Sequence, residues 1–193
     1  MAKLAERDQI TEAEEHCFYM TQHVATLPYR APELLFVMPE HSTAVDIWAT
    51  GCIFAEMILR RELFPGRSVS GQIKIVVATM GTPPEKFIEL IACERTRRLL
   101  ESFGETQAKE WREILKCKAT SEAEDLMAHM ARLDPLERIT VERALSHPYF
   151  RGFKYPMNEK TCPFKVKMDM AAVESLSHEE LNEFLASEVP TFV

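Results

Sequence analysis

Few residues in this chain have types and spacings that could do chemistry. His16 and His23 flank Cys17, and imidazole with thiolate is a zinc-type donor set. No further ligands follow at metal spacing, so no metal is expected there. Gly66 and Gly71 stand apart like the glycines of a phosphate-cradling loop, but Gln72-Ile73 replace the lysine and hydroxyl residue such a loop needs. No two of the six glycines form G-x-G. The five aspartates, Asp8, Asp46, Asp125, Asp134 and Asp169, are few for metal or phosphoryl-transfer work. The five cysteines are scattered, odd in number and without a C-x-x-C pair, which argues against zinc ribbons and for reduced thiols in the cytoplasm or nucleus. Glu179, Glu180 and Glu183 read as a solvated acidic face suited to a helix start, and Met127 and Met130 as core.

The elements that must position these groups read as mainly α. The 193 residues carry 30 acids against 23 bases, a net charge of -7, so no basic stripe is available for nucleic acid. The longest apolar stretch, Val45 to Leu59, is too short to span a bilayer and holds Asp46 and Glu56. It is apolar on all faces, which predicts a helix buried on all sides, capped by Ser42 or Thr43. Residues 1–42 read as an irregular, exposed loop, with Pro28, Pro32 and Pro39 opposing helix. Further helices are predicted from Ser70 to a Gly81 stop, and from a Thr82-Pro-Pro-Glu85 capping box through Phe87, Leu90 and Ile91 toward Leu99. Others follow at Trp111–Leu115, at Thr120–Leu133, from a Thr140 cap through Leu145, and from a Ser177 cap through Leu185. That makes about seven helices, no repeats and no period-two strand pattern.

Six blocks then stand in one order: Tyr29-Arg-Ala-Pro-Glu33 with Val45-Asp-Ile-Trp48, Leu63-Phe-Pro-Gly66, Gly81-Thr-Pro83, Leu133-Asp-Pro135 with Arg138, and His147-Pro-Tyr-Phe150. Together they resemble the C-terminal lobe of a eukaryotic protein kinase, and within kinases the MAP-kinase group. The resemblance implies a kinase domain portion at 1–150, with a MAP-kinase-type insert at about 84–120 and a C-terminal extension at 151–193. It implies a lobe lacking the N-terminal β-lobe and the catalytic loop, with Met1-Ala-Lys-Leu-Ala standing just past the magnesium-binding motif.

The resemblance also assigns roles. Glu33 ends an APE-like motif and would pair with Arg138 through a planar, bidentate fork. Asp46 would hold the catalytic loop, and as a carboxylate at the start of a buried helix it should bind backbone N–H groups. Thr21 sits at the first phosphorylation position, while His23 replaces the tyrosine that pairs with it. Leu27 replaces the arginine that grips the second phosphate; losing acceptor and ligand together is coherent. Val24, Ala25 and Thr26 with Arg30 resemble the substrate loop that accepts proline after the target Ser or Thr. Tyr155 and Asn158 stand where an acidic docking patch has aspartates, leaving Glu159 and little hold on basic peptides.

The phosphate loop, its lysine, the H-R-D base and D-F-G are missing from the chain. No catalytic residue is therefore assigned, and ATP and magnesium are expected only where the other kinase half is present. Two readings follow. One is the substrate-side part of a proline-directed Ser/Thr kinase, inactive as written, whose partners are protein substrates or pathway proteins. The other is a kinase-derived, non-catalytic binding or scaffold module.

Overall fold

The computed structural model describes residues 26–39, 42–152, 163, 172–173 and 175–188. The chain divides into two units, Met1–Lys154 and Tyr155–Val193. The described residues contain helices and turns and no strand.

In the first unit the helices are α1 Pro32–Leu35, α2 Ala44–Leu59, α3 Val69–Met80, α4 Glu85–Glu89, α5 Glu94–Ser102, α6 Trp111–Ile114, α7 Ser121–Met130 and α8 Val141–Leu145. Short 3-10 turns at Leu27–Tyr29 and Pro148–Phe150 flank this set. Side-chain caps start three of these helices. The side chains of Ser68, Thr120 and Thr140 each accept a backbone N–H from the first turn of α3, α7 and α8. Gly81 ends α3 at φ 85°, a conformation that disfavours a side chain.

The core gathers around α2. Trp48, Cys52, Ala55 and Leu59 recur at helical spacing and are all buried. Trp48 stacks on Phe64, with ring centroids 5.4 Å apart and planes at 9°. Phe36 meets Phe87 edge-on at 5.9 Å. Gly51 allows α2 to approach α7: a Cβ there would stand 3.3 Å from Met130 Cβ. A smaller cluster of Leu126, Met130 and Ala144, joined by Ile139, Tyr149 and Phe150, ties α7 to α8 and the Pro148–Phe150 turn.

Four expectations are corrected. The α2 helix is not buried on all sides: Asp46, Thr50, Ile53 and Met57 form an exposed stripe opposite Trp48. Two residues turn the helix by about 200°, which carries Asp46 to the far side from Trp48. Thr82 does not cap a helix. Its hydroxyl accepts the Thr106 N–H at 2.8 Å and donates to the Gly104 carbonyl at 3.2 Å, pinning the return of the 84–120 segment. The helix expected from Glu85 toward Leu99 is two helices, broken at 90–93, with Leu90 57% exposed. The predicted helix to Leu133 stops at Met130, before Asp134-Pro135.

The second unit contributes α9, His178–Glu188. Ser177 and Glu180 exchange hydrogen bonds at its start. The Ser177 N–H donates to Glu180 Oε2 at 2.8 Å, and the Glu180 N–H donates to Ser177 Oγ at 3.3 Å.

Candidate functional site

The segment entering α1 is held from below. Pro28 opens the Leu27–Tyr29 turn and is buried, and Pro32 opens α1, so two rings preset φ where the chain bends. Thr26 is exposed. Arg30 is only 4% exposed, and burial lowers its pKa, because an apolar surround disfavours the cation. Tyr29 is half-buried, and its hydroxyl donates to Glu56 Oε2 at 2.6 Å across to α2. That hydrogen bond holds the phenol proton and raises the Tyr29 pKa; desolvation and the nearby Glu56 charge add to it. Ile53, Met57 and Arg60 join these two residues in lining an open depression of about 490 Å³.

Glu33 and Arg138 meet in the interior. The guanidinium gives Nη1 to Glu33 Oε1 and Nη2 to Oε2, each at 2.8 Å, and both side chains are fully buried. Arg138 also donates to the carbonyls of Arg132 (3.0 Å), Ala44 (2.6 Å) and Leu133 (3.3 Å). Five N–H groups thus find five acceptors, which is the full donor set of an arginine. The Trp48 ring lies 5.4 Å from the guanidinium carbon. One side chain therefore joins α1, the start of α2 and the loop after α7.

Asp46 stands apart from this tie. Its side chain is exposed rather than buried, and its carboxylate makes no hydrogen bond among the described residues; only its carbonyl accepts, from Thr50 Oγ1. Thr21, Val24 and Ala25 lie outside the described residues, as do His16, Cys17, His23, Tyr155, Asn158 and Glu159. Sequence reasoning missed the Tyr29–Glu56 bond. The signal available was a lone acid in the later turns of an apolar helix.

The described aspartates have other surroundings. Asp134 accepts the Leu136 N–H at 2.8 Å in a turn, Asp125 faces His147 at 2.9 Å, and Asp46 heads the exposed stripe of α2. Among the described residues no helix is long and apolar enough to cross a membrane.

Comparison with known proteins places this architecture. The family model for the protein kinase domain matches residues 4–150. Mitogen-activated protein kinase sma-5 of Caenorhabditis elegans is 48% identical over 98% of this chain, which covers 39% of that protein. Extracellular signal-regulated kinase 1 of Dictyostelium discoideum is 36% identical over 92% of the chain and 33% of its own length. Mitogen-activated protein kinase p38a of Drosophila melanogaster is 40% identical over 75% of the chain and 39% of its own length. The chain thus spans well under half the length of these relatives. With its helical lobe and its Glu33–Arg138 tie, the chain belongs to the protein kinase family and is MAP-kinase-like within it.

Proposed function

We propose that this chain is the substrate-side part of a MAP-kinase-like, proline-directed Ser/Thr kinase and does not transfer phosphate by itself. The observation that carries the reading is the exposed stripe of Asp46, Thr50, Ile53 and Met57 on α2. Ile53 is 52% and Met57 65% exposed on a helix whose other face is core, and an open apolar stripe of this kind marks an interaction face. Asp46 at its head offers acceptors to the backbone N–H groups of an incoming loop. The occupant in this reading is the polypeptide that carries the phosphate loop, H-R-D and D-F-G.

On the substrate side, Val24, Ala25, Thr26 and Arg30 form the loop that receives proline after the target residue, and Thr21 is the phosphorylation site. Protein substrates and pathway proteins are the partners, in the cytoplasm or nucleus. Incubation of the whole chain with an upstream MAP-kinase kinase reports on Thr21; absence of phosphate there removes that assignment.

The main test is calorimetric titration of the chain with ATP–Mg, alone and after mixing with a polypeptide bearing the catalytic half. The chain alone gives no binding heat, and the mixture binds. Micromolar binding by the chain alone overturns the proposal. A second reading, a non-catalytic binding module, uses the same stripe for a different protein. An in-frame H-R-D and D-F-G directly upstream of Met1 favours the first reading. Stable expression from Met1 without them favours the second.

A further inference from the structure

Asp125, His129 and His147 converge at the outer edge of α7. One carboxylate oxygen and one ring nitrogen from each histidine lie within 4.8 Å of one another. Asp125 Oδ2 is 2.9 Å from His147 Nε2, and Asp125 Oδ1 is 3.6 Å from His129 Nδ1. We propose that these three side chains form a binding site for a divalent transition metal of the zinc type.

The spacing matches the chemistry. Zinc holds nitrogen and oxygen ligands at about 2.0–2.2 Å, so neighbouring ligand atoms in a tetrahedron stand about 3.3–3.6 Å apart. The separations of 2.9 and 3.6 Å run to different Asp125 oxygens, the first below that spacing and the second at its upper end, and one ligand atom from each residue lies within 4.8 Å of the others. Two imidazoles and one carboxylate favour zinc, cobalt or nickel over magnesium and calcium, which prefer all-oxygen shells.

The fold places the three groups on firm elements. Asp125 and His129 are four residues apart on α7 and share one face, while Leu126 and Met130 anchor the helix in the core. His147 arrives from the Pro148–Phe150 turn with 7% of its side chain exposed. Its Nδ1 accepts the Tyr149 N–H at 3.2 Å, which fixes the ring with Nε2 toward Asp125. Asp125 and His129 are 58% and 46% exposed, so an ion can enter and water can take a fourth position.

Two hydrogen bonds set a limit on affinity. The Tyr149 contact assigns the neutral-ring proton of His147 to Nε2, which then donates to Asp125. A metal at Nε2 shifts that proton to Nδ1 and displaces the Tyr149 contact. His129 Nδ1, 2.8 Å from the Asp125 carbonyl, likewise trades a hydrogen bond for the metal. The ion therefore binds reversibly and clasps α7 to the following turn.

Zn²⁺ and Co²⁺ titrations of the full 193-residue chain test the proposal. One equivalent of Co²⁺ is expected to give visible d–d bands without the strong near-ultraviolet band of thiolate ligation. Zn²⁺ is expected to displace it. His129→Ala, an exposed change, should weaken Zn²⁺ binding about tenfold or more while the helical circular dichroism is kept; loss even of a ligand's outer partner costs about 10–100-fold. Asp125→Asn should act in the same direction. Equal affinity in wild type and His129→Ala overturns the site, as does a thiolate band or the absence of any binding.

Discussion

Arg138 grips both carboxylate oxygens of Glu33 across 105 residues of chain, with neither side chain touching solvent. A buried ion pair is not automatically stabilising, because desolvation opposes the attraction. Here the geometry answers that cost, since each guanidinium N–H and both carboxylate oxygens are satisfied. Removing one partner leaves the other charged and buried. Glu33→Gln and Arg138→Met should each destabilise the chain by about 3–5 kcal/mol, read from urea midpoints. The double variant should lose less than the sum, because no orphan charge remains. An additive double variant would show that the pair does not act as a unit.

Cys52 is buried in the core, and desolvation pushes its thiol up to about 12; Glu56 adds to this and Arg138 opposes it. The thiolate is the reactive form. Alkylation with iodoacetamide at pH 8, followed by peptide mass mapping, should modify exposed Cys117 and spare Cys52 until the chain is unfolded. Rapid labelling of Cys52 in the folded protein would contradict its placement.

The raised pKa of Tyr29 sets a sign for alkaline behaviour. A proton held more tightly in the folded state stabilises it below the ordinary phenol pKa of 10.0. That contribution is lost as pH rises through the folded-state value. Urea stability of the wild type should therefore fall more steeply above pH 10 than that of Tyr29→Phe, which lacks the proton. Parallel curves for the two proteins would remove Glu56 as the cause.

Gly81 and Gly104 both have positive φ, 85° and 66°, but different surroundings. A Cβ on Gly81 would lie 2.8 Å from the Ala108 backbone nitrogen, whereas one on Gly104 meets nothing within 4 Å. Gly104→Ala should cost about 1–2 kcal/mol from backbone conformation alone. Gly81→Ala should cost more, because a backbone must also move. Equal midpoints on thermal unfolding would show that the close approach at Gly81 carries no weight.

The two sides of α2 predict opposite responses. Met57→Lys changes a side chain 65% exposed and should shift stability by about 0.5 kcal/mol or less. Trp48→Ala empties a fully buried site and should cost about 3–5 kcal/mol. In the mixing experiment with a catalytic half, Met57→Lys should abolish association while leaving the chain folded. Retained association would place the docking face elsewhere.

Features governed by near neighbours were legible in the residues. The Thr120, Thr140 and Ser177 caps and the Gly81 stop each depend on atoms within one turn, and all stand as read. Thr82 failed for the converse reason. Its cap signal is local, but the backbone it meets is Thr106, 24 residues on. The Glu33–Arg138 meeting was reached only through the resemblance to kinases, because no local pattern links residues so far apart. No motif joins Tyr29 to Glu56 or Asp125 to His147; a lone acid on α2 hinted at the first pair, and the coordinates supplied both partners.

The sequence by itself determined the helical class, most helix starts and the kinase relationship, because caps, proline stops and ordered motifs are written in short windows. It could not determine which side of α2 is covered. Asp46 and Thr50 mark the open side only in its first turns, and beyond them Ile53 and Met57 on that side are as apolar as the core face. Only packing decided it: Phe64 and Arg138 cover Trp48, α7 covers Gly51, and nothing among the described residues buries Ile53 and Met57. Burial is a property of neighbours brought together by the whole fold, and a helix whose later turns are apolar on both sides leaves that choice to them.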